Sequence, residues 1–121
     1  MTKATALHNF YSGFGLDAYP TSSVPSDVIL PYLTYEYVAD AMGEVDTSVN
    51  LWFYTESEAI PNAKAQEISE AIGLGGVTLR FDGGVIWVKR GSPWCQSLKD
   101  DTAPGIKRRL LNVALEYISA F

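Results

Sequence analysis

Cys95 and His8 are the one cysteine and the one histidine of the chain, so nucleophile-and-base chemistry could be built only on that pair. Covalent catalysis needs nucleophile and base in hydrogen-bond reach, with a third group orienting the base. The two lie near opposite ends of the sequence, Cys95 in a stretch broken by Gly and Pro and His8 in a segment of helical pattern. Nothing in that spacing joins them, and no catalytic residue is assigned. A structural zinc site normally takes four Cys or His ligands, more than this chain holds. Asp100 and Asp101 are adjacent acids, but they lack EF-hand spacing and sit among Gly and Pro, so they read as solvated loop carboxylates. The expectation is a protein without catalytic, metal or cofactor-binding residues.

Two other patterns have a chemical reading and a structural one. Gly73-Leu74-Gly75-Gly76 follows a helical pattern and precedes a strand pattern, the reverse of the order that aims helix N-terminal amides at a phosphate. It reads as a helix terminator. Tyr32, Tyr35, Tyr37, Trp52, Phe53, Tyr54 and Trp87 could stack nucleobases, as in single-strand binders. Fourteen acidic against nine basic residues, a formal net charge of -5, oppose a phosphate-tracking surface. The basic run Lys107-Arg108-Arg109 falls within a strand pattern, where alternate residues face opposite sides and no continuous patch forms. Core and subunit-interface roles account for the aromatics better than base stacking.

These residues must be positioned by a small set of elements. Leu7, Phe10, Tyr11 and Phe14 make the stripe of an opening amphipathic helix, with Thr2 as N-cap and Gly13 and Gly15 as its stop. Residues 16–31, with three prolines, read as a connecting loop. Residues 32–39 and 47–54 read as two aromatic-rich strands joined by a short, mobile tip. Ser57 caps a second helix that runs to about Gly73, with Pro61 in its first turn. Residues 77–81 and 85–90 form a hairpin, because Asp82-Gly83 supplies the positive φ angles of a tight turn. Residues 91–105 read as a loop, and 106–121 as a final strand in which Leu111, Val113, Leu115 and Tyr117 alternate with polar or small residues.

The order helix, two strands, helix, three strands predicts an α+β fold, a two-layer sandwich of a mainly antiparallel sheet with two helices packed on one face. At 121 residues, 47% of them apolar, the chain fits a single domain spanning 1–121. A single cysteine rules out an intramolecular disulfide and suits a reducing compartment. No signal-peptide pattern and no long apolar run is present, so neither export nor a membrane span is expected. Two helices cover one sheet face while aromatics point to both, so apolar surface is expected to remain for a partner.

Three segments carry a resemblance to a known family. Pro31-Tyr32-Leu33-Thr34-Tyr35-Glu36, Leu51-Trp52-Phe53-Tyr54 ahead of a helix, and Asp82 through Pro93 (DGGVIWVKRGSP) resemble the small tail-terminator (tail-completion) proteins of long-tailed bacteriophages. The similarity runs over nearly the whole chain, and related neck and head-completion proteins share its size and layout. The resemblance implies a minor structural protein of the virion at the head-tail joint, assembled in the bacterial cytoplasm. Such a subunit forms a ring, typically hexameric, that caps the tail tube and meets the head-tail connector proteins, with no membrane and no sequence-specific nucleic acid among its partners. On that reading residues 40–47 and 91–105 are ring and tube contacts, with Arg90, Trp94, Lys99, Asp100 and Asp101 the interface residues. A neck or head-completion adaptor is the first alternative, and a small cytoplasmic ligand-binding domain the second.

Overall fold

The computed structural model describes residues 1–38, 43–99 and 105–119. The order is α1 (Lys3–Ser12), β1 (Asp17–Pro20), a 3-10 turn (Thr21–Ser23), β2 (Tyr32–Tyr35), β3 (Gly43–Tyr54), α2 (Ala59–Ile72), β4 (Val77–Phe81), β5 (Gly84–Lys99) and β6 (Ile106–Ser119). All six strands join one curled sheet in the order β1-β2-β3-β6-β5-β4, antiparallel except for the β1–β2 pair. The expected α+β fold of two helices on a mainly antiparallel sheet is what forms.

Register assigns each side chain to a face. Val49 pairs with Leu111 and Leu51 with Arg109, while Val88 pairs with Leu115 and Leu33 with Leu51. These residues share the face on which both helices lie, and together with Leu7, Tyr11, Ile68 and Ile72 they form one core. Helix α1 reaches both sheet edges, contacting β1 and β4, and α2 lies over β3, β5 and β6. Tyr11 of α1 stacks on Tyr35 at 4.8 Å between ring centroids. Lys3 sits over Tyr117 and Phe81, so its alkyl stem adds to the cover at that end.

The helix termini follow from local chemistry. The Thr2 side chain accepts from Thr5 N at 3.2 Å, as an N-cap residue does. Helix α2 starts at Ala59, with Pro61 buried in its first turn, and the Ser57 hydroxyl accepts from Ala59 N at 3.2 Å. The residue at the N-cap is Glu58, whose carboxylate contacts the Arg109 guanidinium and lies 3.3 Å from Lys107 Nζ. Arg109, only 2% exposed, also donates from Nε to Asn62 Oδ1 at 2.9 Å. A buried guanidinium is tolerable because neighbouring acceptors replace its water, and these acceptors fasten the start of α2 to β6.

Three sequence expectations give way. Residues 16–31 were expected as a loop, but Asp17–Pro20 is an edge strand parallel to β2. It ends on Pro20, a residue that an edge strand accommodates. Residues 91–105 were expected as a loop, but β5 continues through Lys99 across a bulge. Pairing steps from Arg90↔Val113 to Cys95↔Leu111, and the intervening residues, with Pro93, leave the ladder there. Asn112 Nδ2 donates to Pro93 O at 2.6 Å, and a Cβ at Gly91 would come within 2.8 Å of the Asn112 Cβ, so the bulge rests tightly on β6. The stretch 40–47 was expected as a mobile tip; Gly43–Thr47 instead belongs to β3 and pairs with β6, and 39–42 lie outside the described residues.

Two measurements check this account. Leu111→Ala removes a fully buried side chain at the sheet centre and is expected to cost about 2–5 kcal/mol in denaturant unfolding. The Arg109 hydrogen bond, and then that of Lys107, holds the Glu58 carboxyl below the usual carboxylate range. A depressed folded-state value stabilises above the unfolded value, and the contribution disappears as pH falls through the folded one. Glu58→Gln should therefore melt below wild type at pH 7, and the gap should close as pH drops below roughly 4.3, the ordinary Glu value. A gap independent of pH would rule the linkage out.

Candidate interaction surface

The sheet face turned away from the helices is set by the other half of the strand alternation. Tyr32 pairs with Trp52 and Trp52 with Arg108, so three strands place a ring, a ring and a guanidinium side by side. Tyr32 and Trp52 stack at 5.9 Å and 16°, Tyr19 of β1 meets Tyr32 edge-on at 6.3 Å, and Arg108 Cζ lies 4.7 Å from the Trp52 ring. Arg108 Nε donates to Asn50 Oδ1 at 2.9 Å, which fixes the guanidinium over the indole. Stacking and cation–π attraction let these side chains shelter each other where no helix does.

Farther along the same face, Lys89 Nζ lies 4.5 Å from the Trp87 ring and 3.5 Å and 3.9 Å from the carboxylates of Glu44 and Glu116. Trp87 Nε1 donates to Gly75 O at 2.9 Å, binding the turn after α2 to β5. Gly76 has φ +81°, and a Cβ there would run into the Trp87 indole, so this turn needs glycine.

Where that turn meets β5 and the bulge, a groove of about 530 Å³ opens. Leu74, Trp87, Lys89, Arg90 and Trp94 line it, with Gly75, Gly91 and Ser92 as small or polar floor. Leu74 is 98% exposed. Arg90 donates from Nη1 to Ser69 Oγ at 2.8 Å on α2, and no carboxylate among the described residues lies within ion-pair distance of it. Trp94 packs partly against the core, and its indole N–H, like that of Trp52, is buried with no acceptor among the described residues.

The expected interface residues divide accordingly. Arg90 and Trp94 come together in the groove, on the bulge and not on a free loop. Lys99 closes β5 opposite Lys107, while Asp100 and Asp101 lie outside the described residues. Sequence reading missed Lys89, Arg108 and Leu74. The register that pairs Trp52 with Arg108 was the missing signal for Arg108. Leu74 was hidden because a residue between glycines carries no periodicity.

The potential chemical groups sit apart. His8, on an exposed part of α1, has Nδ1 3.4 Å from the Tyr35 hydroxyl and Nε2 3.2 Å from Ser12 Oγ. Cys95 pairs with Leu111 on the helix-covered face, and no contact links it to His8. Burial pushes the Cys95 thiol up against the opposing pull of Arg109. Burial raises Tyr35 and, reinforced by Tyr37, pushes Tyr117 up to about 12, so both phenols stay protonated at neutral pH. Among the described residues no three His, Cys, Asp or Glu side chains gather as a metal site, and no helix is long and apolar enough to cross a membrane.

Comparison with protein-family models, with curated proteins and with solved structures finds no match.

The raised thiol value leaves Cys95 with a smaller thiolate fraction at pH 8 than a free cysteine has. Its reaction with a disulfide reagent such as DTNB should run at least about fivefold slower in the folded protein than in urea. Equal rates would show an accessible thiol of ordinary reactivity and rule out the burial effect, and a faster reaction in the folded protein would reopen nucleophilic chemistry.

Proposed function

We propose that this chain is a structural subunit of a phage virion that assembles into a ring at the head-tail joint, caps the tail tube and stops its growth. The observation that carries the reading is the division of the sheet. One face is closed by two helices over a single core, and the other bears a row of mutually stacked aromatics and cations beside an open groove. A scaffold of this kind presents fitted surfaces, with aromatic and Arg side chains that suit interface anchors and charges that set register and choice of partner. The resemblance of Pro31–Glu36, Leu51–Tyr54 and Asp82–Pro93 to tail terminators supplies the particular role.

The groove volume also falls within the range of small-molecule sites, and a small ligand-binding domain is the second reading. Saturable binding of a small compound, with no association with phage particles, would favour it.

Electron microscopy of particles produced without this protein separates the two. Overlong or headless tails are expected, together with recovery of the protein on isolated tails and not on tail-less heads. Normal virions would overturn the reading.

A further inference from the structure

A closed ring of identical subunits needs two different patches on each copy, one complementary to the other, because the contact is head-to-tail. The groove supplies one patch: a concave surface with two indoles, the exposed Leu74 and a guanidinium that donates to the neutral Ser69 hydroxyl and that, among the described residues, has no carboxylate within ion-pair distance. Its natural complement is a projecting segment that carries apolar bulk and an acid. Segment 24–30, between the 3-10 turn and β2, has that composition. Ile29 is 78% exposed, Asp27 is exposed, and a turn with Val28 N donating to Pro25 O at 3.3 Å holds the segment in shape. Other exposed apolar side chains fit less well. Ile60 adjoins Glu58, which is already engaged by Arg109 and Lys107, and Tyr54 is backed by Gly105.

The two patches occupy different parts of the sheet. Segment 24–30 leads into β2 and the groove is built on β5, with β3 and β6 between those strands in the sheet. No residue of the segment lines the groove of its own chain.

On the strength of the ring reading, we propose that segment 24–30 of one copy seats in the Trp87–Trp94 groove of the next, with Ile29 packed against the indoles and Leu74, and Asp27 paired with Arg90. Propagation of this contact around the ring makes each subunit both donor and acceptor. An acidic chain gains selectivity from it, because Arg90 rewards a neighbour that brings a carboxylate in this position.

Disulfide trapping tests the contact in the full-length protein. Ile29→Cys and Leu74→Cys are combined in a Cys95→Ser background; both new thiols replace exposed side chains, so folding is preserved. Mild oxidation at high protein concentration should give a ladder of covalent multimers, whereas each single-cysteine variant should stop at dimers. In parallel, Arg90→Glu or Asp27→Lys should each weaken self-association at least about tenfold by light scattering, and the double charge swap should recover it. Should the wild type assemble while no ladder forms and Arg90→Glu associates normally, this contact is wrong and the ring reading stands. A wild type that remains monomeric at millimolar concentration also overturns the contact. The ring reading is judged separately, by the morphology of particles lacking the protein.

Discussion

Strand β6 lies between β3 and β5 over most of its length, and its two-residue alternation decides which side chains are enclosed and which face outward. Arg109, Leu111, Val113, Leu115 and Tyr117 turn to the helices. Arg108, Leu110, Asn112 and Glu116 turn away. A one-residue slip of β6 would exchange these sets, putting two unpaired polar groups and a carboxylate into the core. Register is therefore fixed energetically from both neighbours at once, and the helices can be placed against it only one way. Arg109 shows how narrow the choice is. Its guanidinium is enclosed, and it is acceptable because Glu58 and Asn62 at the head of α2 and the Arg108 carbonyl meet it.

Much of this was legible from residue order. The helical stripe through Leu7, Tyr11 and Phe14 and the division of Lys107-Arg108-Arg109 between two faces rest on short-range periodicity, and the Asp82-Gly83 turn on the backbone freedom of Gly83, whose φ is +93°. What escaped was non-local. Asp17–Pro20 is a strand only because Tyr32–Tyr35 lies beside it, and four residues ending in proline carry no pattern of their own. The stretch after Arg90 holds Gly and Pro, ordinary signs of a loop, and only β6 on its flank keeps it in the sheet. The candidate site was legible to a similar degree. Arg90 and Trp94 were recognisable as aromatic and cationic anchors, but their union with Leu74 and Lys89 depends on how the turn after α2 folds back onto Trp87.

A sheet face without a covering helix meets a particular physical difficulty: it cannot be as apolar as a core, and a row of large aromatics standing apart would leave much apolar area in water. The row from Tyr19 through Tyr32 and Trp52 to Arg108 meets it by stacking side chain on side chain, which leaves the rings half-buried in the isolated chain. Such a surface is stable alone and still gains by association, because covering it removes further apolar area from water without rearranging it.

The bulge at Gly91–Trp94 has a consequence for how the family of permissible sequences is shaped. Before it, even-numbered residues of β5, Ile86 and Val88, lie on the helix side of the sheet; after it, odd-numbered ones, the half-buried Cys95 and the exposed Ser97, do so. The bulge thus acts as a phase shifter between two halves of one strand. A one-residue length change earlier in β5 would invert everything downstream of it. The arch sets the phase of the second half of the strand, and the Asn112 side chain and the close approach at Gly91 clamp it in place.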